Sequence, residues 1–111
     1  MTTLSQTRGD TVSYTFQRKD TSGAVIKTRP ESIIFTLKSN FESNKIIVQK
    51  TIDQMSLSTD GTWRFTMEHA DTAGLDYYTY VFDIQVTDRG AVTTIAKGTL
   101  TLTSEATWSA A

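Results

Sequence analysis

The residues with the most evident chemical capacity are Glu68, His69 and Asp71, close neighbours in a single stretch of the chain. His69 is the only histidine, and there is no cysteine. A histidine metal site draws its further ligands from other parts of a chain, and here no second imidazole or thiolate is available to join it. The same residues begin a helix-compatible stretch, residues 68–75, that ends on Gly74 and Leu75. Acidic side chains near the start of a helical turn are favoured by its dipole. A surface helical turn is therefore the expectation for this group, with no bound metal.

The aspartates Asp10, Asp60, Asp76, Asp83 and Asp88 offer a second chemistry, the paired carboxylates of glycoside hydrolysis. That mechanism needs two such groups roughly 5–9.5 Å apart around a sugar. Most of these residues stand in turns, where aspartate is expected because its side chain bonds nearby backbone. Asp60 lacks the dense carboxylate spacing of a dedicated calcium loop. Asp83 differs, because it interrupts a strand; were its face covered, it would require Arg64 or Lys97 as a partner. An exposed face is the simpler expectation. Arg8-Gly9-Asp10 is the tripeptide that adhesive ligands present on protruding loops, but here it leads directly into a strand. No catalytic set emerges, no cofactor is implied, and the chain is not expected to be an enzyme.

Aromatic side chains supply the remaining candidates, as a platform for sugar or for another chain. Trp63 alternates with Phe65 and Met67 and reads as core, while Tyr77 begins a strand. Trp108 and Phe41 stand in polar surroundings and are the candidate interface residues, since exposed aromatics mark contact surfaces.

The element that must organise these groups is residues 77–87, YYTYVFDIQVT. Tyr78, Tyr80, Phe82, Ile84 and Val86 fall on every second position, so an extended strand places them on one face. Val12, Tyr14 and Phe16 alternate in the same way, as do Ile33, Phe35 and Leu37. Ile46, Val48 and Ile52 share a phase, and the polar loop before them predicts a hairpin with residues 32–38. Met55 and Leu57 are in position to extend that pairing. Asp60-Gly61 is the strongest turn signal, followed by the strand of Trp63, Phe65 and Met67. In the last strand Ile95 is out of phase with Leu100 and Leu102, which predicts a bulge near Gly98 that turns all three to the core. Residues 2–7 and 24–27 read as sheet edges. About seven strands and one short helical turn make an all-β sandwich.

Bulk properties agree with that class. A chain of 111 residues is one domain, residues 1–111, and buries roughly 65% of its unfolded surface, enough for one core. The formal charge of −1 comes without a basic stripe, which makes nucleic acid a poor partner. Disulfides, thiolate zinc and cysteine nucleophiles are excluded by composition. The N-terminal residues MTTLSQTRGD carry no apolar core of signal-peptide length, and no apolar run approaches membrane-spanning length. Folding in a cytoplasm, with no membrane partner, is expected.

Two resemblances add to this reading. Residues 71–84, DTAGLDYYTYVFDI, resemble the immunoglobulin-type corner, in which a tyrosine hydroxyl bonds back to nearby backbone; Tyr78 matches that tyrosine by position. Gly74, Leu75 and Asp76 lengthen the corner, and the family's cysteine pair is missing; the resemblance implies an immunoglobulin-like antiparallel β-sandwich. Nearly the whole chain resembles small immunoglobulin-like domains of tailed-bacteriophage and prophage particles, including the N-terminal domain of baseplate upper proteins. The match runs through Arg8-Gly9-Asp10-Thr11, Thr59-Asp60-Gly61-Thr62, Gly74-Leu75-Asp76-Tyr77-Tyr78, Asp83-Ile84, Gly90 and residues 94–100. It implies a structural role in a tail or baseplate, other baseplate proteins and further copies of the chain as partners, and a place in the virion. The alternative is a carbohydrate-binding or adhesion module.

Overall fold

The computed structural model describes residues 2–104 and builds an all-β sandwich of two sheets. Its strands are β1 (Thr2–Thr7), β2 (Val12–Gln17), β3 (Ser32–Lys38), β4 (Val48–Thr51), β5 (Thr62–Met67), β6 (Thr79–Asp88) and β7 (Ala91–Thr103). A four-residue helix, α1 (His69–Thr72), follows β5, and a 3-10 turn (Gln54–Ser56) precedes it. Among the described residues, one sheet has the order β1-β7-β6-β3-β4 and the other contains β2 and β5.

Alternation in the sequence becomes a dry interior. Ile33, Phe35 and Leu37 from β3, Phe82, Ile84 and Val86 from β6, and Leu100 and Leu102 from β7 face Trp63, Phe65 and Met67 of β5. The two layers meet where the Phe35 and Phe65 rings stand 4.7 Å apart. Burial of such side chains at about 25 cal/mol per Å² is what holds a two-stranded layer that could not persist by itself.

Several expectations shift in detail. One ladder is parallel: β1 runs alongside β7, with Leu4 opposite Leu100. β4 begins only at Val48, so Ile46 is exposed while Ile47 packs on the core. Met55 sits in the 3-10 turn, 80% exposed, and extends no ladder. Residues 24–27 make a single bridge, Lys19 with Val25, rather than a strand. The bulge lies at Ile95, where β7 gains one residue against Ile84 and Gln85 of β6, not at Gly98. Ile95 therefore reaches the open rim of the sandwich beside Val86, partly exposed, instead of entering the core with Leu100. Gly98 answers a different demand, because a Cβ there would overlap the Thr2 carbonyl oxygen of β1 and come within 2.9 Å of the Phe82 ring.

The Asp60-Gly61 turn does not join neighbouring strands of one sheet; it delivers the chain from the large sheet to β5 of the small one. Gly61 takes φ of 89°, a backbone favoured by glycine. The Asp60 carboxylate accepts from the Ser58 hydroxyl and from Thr62 N. These bonds, the Ser58 hydroxyl first, hold its pKa below the usual aspartate value. The stability it contributes is present above the unfolded value of about 3.9 and is lost as pH falls through the lower folded value. In an acid titration of unfolding free energy, wild type should lose stability more steeply below about pH 4 than Asp60→Ala; parallel curves would contradict the assignment.

Candidate functional site

The best-connected polar constellation lies where the β1–β2 turn meets α1. Thr72 of α1 is fully buried, and its hydroxyl accepts the Gly9 N–H at 2.8 Å. His69 Nδ1 bonds the Gly9 carbonyl at 2.6 Å. Arg8 donates to the Leu75 carbonyl at 3.2 Å and lays its guanidinium over the Tyr77 ring, 4.2 Å from the centroid. Arg8 and Gly9 of the Arg8-Gly9-Asp10 triplet are thus fastened down on the corner, unlike a protruding adhesive loop, while Asp10 is exposed.

The acidic neighbours of His69 are likewise engaged. Glu68 and Asp71 form a reciprocal capping box at the start of α1. Asp71 also pairs with Lys50 of β4 at 2.6 Å. No group of three metal-ligating side chains occurs among the described residues. Asp83 lies on the outer face of the large sheet, opposite Thr36 and Lys97 in register, and Arg64 belongs to the other sheet. Lys97 places its ammonium 4.6 Å from the Phe41 ring centroid, a cation–π contact. Phe41 lies over a shallow cleft with Thr36, Lys38, Val81 and Asp83, and is only 37% exposed. Trp108 lies outside the described residues.

The corner tyrosine is Tyr80, not Tyr78. Tyr80 is buried, and its hydroxyl donates to the Asp76 carbonyl at 3.0 Å. Burial, then the nearby charge of Asp76, pushes its phenol above the ordinary tyrosine value. Tyr78 stands before β6 begins and is 52% exposed, its ring edge-on to Tyr80. Tyr80→Phe should lower unfolding free energy by about 0.5–1.5 kcal/mol, the worth of an ordinary hydrogen bond. Tyr78→Phe should leave denaturant midpoints unchanged, and equal losses would contradict the assignment.

A feature that local sequence patterns do not mark is the seam between β1 and β2. The edges of the two sheets part there around a groove of about 200 Å³ lined by Thr2, Leu4, Tyr14, Phe16, Phe82 and Ala96, among others. At one end it is bridged by Tyr14, whose hydroxyl donates to Gln6 Oε1 at 2.5 Å. The groove is chiefly apolar, and among the described residues the strands along both rims have one unpaired edge each. What it can do is receive apolar side chains and backbone hydrogen bonds.

No family model matches the chain, and no curated protein does. One solved structure, described as "Structural insight into host cell surface retention of a 1.5-MDa bacterial ice-binding adhesin", is similar over 93% of this chain. The identity is 19%, the TM-score 0.43, and the chain spans 28% of that chain's length.

Proposed function

We propose that the chain is a non-enzymatic structural module that docks into the tail or baseplate of a bacteriophage or prophage particle. The observation that carries a docking role is the seam: two strand edges that are unpaired among the described residues, and that carry no charge, flank an apolar groove. Supporting it, the side chains with chemical capacity are occupied in holding the fold. His69, Asp71 and Asp60 each bond backbone or a neighbouring side chain in turns and caps. The phage assignment rests on the resemblance in Arg8-Gly9-Asp10-Thr11, Thr59-Asp60-Gly61-Thr62 and Gly74-Leu75-Asp76-Tyr77-Tyr78. On this reading the partners are other tail or baseplate proteins and copies of the chain itself, and its location is the virion.

The test is mass spectrometry of tail particles isolated on a density gradient from cells that encode the chain. It should co-sediment with the particles in fixed stoichiometry; its exclusive recovery at the top of the gradient would refute the assignment. A carbohydrate-binding or adhesion module is the second reading, favoured by Tyr77 and Tyr78 standing side by side and half exposed at the corner. Glycan-array binding by the purified chain, abolished by Tyr77→Ala, would favour it.

A further inference from the structure

We propose that the β1–β2 seam receives a second copy of this chain, joined by antiparallel pairing of the two β2 edges about a two-fold axis. This rests on the docking role proposed above and names its surface and its partner.

The two open sides of the sandwich are tied together by different side-chain contacts. The chain crosses between the sheets on both sides, through residues 8–11 beside the seam and through the 3-10 turn between β4 and β5, but on the β4–β5 side Lys50 also reaches across to Asp71 in an ion pair. On the β1–β2 side the tie is Tyr14 to Gln6, and the groove opens beyond it. The Gln6 amide nitrogen is buried without a hydrogen-bond partner among the described residues. Among the described residues the small sheet has two strands, and a pair that size is marginal unless more strands or a packed face support it.

Charge then selects the occupant. A two-fold axis brings each side chain of an edge near its own copy, so a charged edge repels itself. β4 carries Lys50 and β5 carries Arg64, which protect those edges against pairing. β2 reads VSYTFQ and β1 reads TTLSQT, six residues each with no charge, no proline and no bulge. Such edges lack the devices by which exposed strands avoid association, and they suit self-pairing.

With the axis at Tyr14 or Thr15, residues of equal parity oppose each other, so Val12, Tyr14 and Phe16 of both copies stay on the inner face. The small sheets join into one four-stranded layer, β5-β2 of one copy continuing into β2-β5 of the other. The two grooves then face one another and close over Leu4, Tyr14 and Phe16. Thr15, on the outer face and exposed, opposes either itself or Ser13 of the second copy.

Sedimentation equilibrium of the full chain tests this. Wild type should form a dimer. Thr15→Lys and Thr15→Glu should each weaken it by about tenfold or more, with circular dichroism unchanged, and an equimolar mixture of the two should restore it. Thr51→Lys, on the β4 edge, should leave it intact. A wild type that stays monomeric at about 100 µM, far above a typical specific Kd, overturns self-docking and leaves a docking role toward other proteins standing. A dimer broken by Thr51→Lys, or one that Thr15 variants weaken without recovery on mixing, overturns the surface.

Discussion

Trp63→Ala is expected to remove about 3–5 kcal/mol of unfolding free energy, measured by urea denaturation. Trp63 is fully buried and projects from β5, the strand that ties the two-stranded layer to the rest of the molecule. It stands opposite Phe16 in the β2–β5 ladder, so its loss opens a cavity between that layer and the large sheet. Domains of this size hold about 5–15 kcal/mol in total, and the variant would stand near the limit of folding. Trp63→Phe should cost far less. Its indole Nε1–H is buried with no hydrogen-bond partner among the described residues. Replacing it by phenyl removes a donor whose burial is itself unfavourable by about 1–3 kcal/mol, which offsets part of the lost volume. Equal losses in the two variants would contradict this account of the interior.

The second large effect is expected at Gly98. A methyl group placed there meets the Thr2 carbonyl oxygen and the Phe82 ring together, so Gly98→Ala must push β1 away from β7 or displace Phe82 inside the core. Overpacking of this kind costs about 1–3 kcal/mol. Because β1 lies at the edge of its sheet, the cheaper response is its release. Amide hydrogen exchange should therefore accelerate across Thr2–Thr7 while β3 and β6 keep their protection. Gly74→Ala is the control: nothing lies within 4 Å of its added Cβ, and its change should stay within about 0.5 kcal/mol. Uniform acceleration throughout the core in Gly98→Ala would contradict the local account.

These two sites mark what sequence reading could and could not reach. Trp63 was legible as core because alternation with Phe65 and Met67 is a local pattern, and the same pattern located β2, β3 and β6. The phase change in β7 was legible too. Its position was not, because Gly98 answers to β1, a strand 96 residues away that happens to run parallel. Tyr78 and Tyr80 have the same parity, so periodicity cannot choose between them. The choice depends on β6 beginning at Thr79, which leaves Tyr78 outside, its carbonyl accepting from Leu102 N. Asp60-Gly61 was legible as a turn, but a turn does not reveal that the strands beside it enter different sheets. The β1–β2 seam is a product of that partition and could not be read from either strand alone. His69 was correctly placed in a helical turn, yet its bond to the Gly9 carbonyl spans 60 residues and has no sequence signature.

In the proposed docking role, this molecule works as a stiff body fitted against its neighbours through exposed backbone. Hydrogen exchange compared between the free chain, diluted until it is monomeric, and the chain within isolated tail particles tests this directly. Assembly should slow exchange selectively in β2, where a free edge becomes a paired one, and leave the already protected β3 and β6 as they were. Exchange in β2 that is identical in the free and assembled states, with new protection confined to Tyr77 and Tyr78 when glycan is added, would contradict the claim.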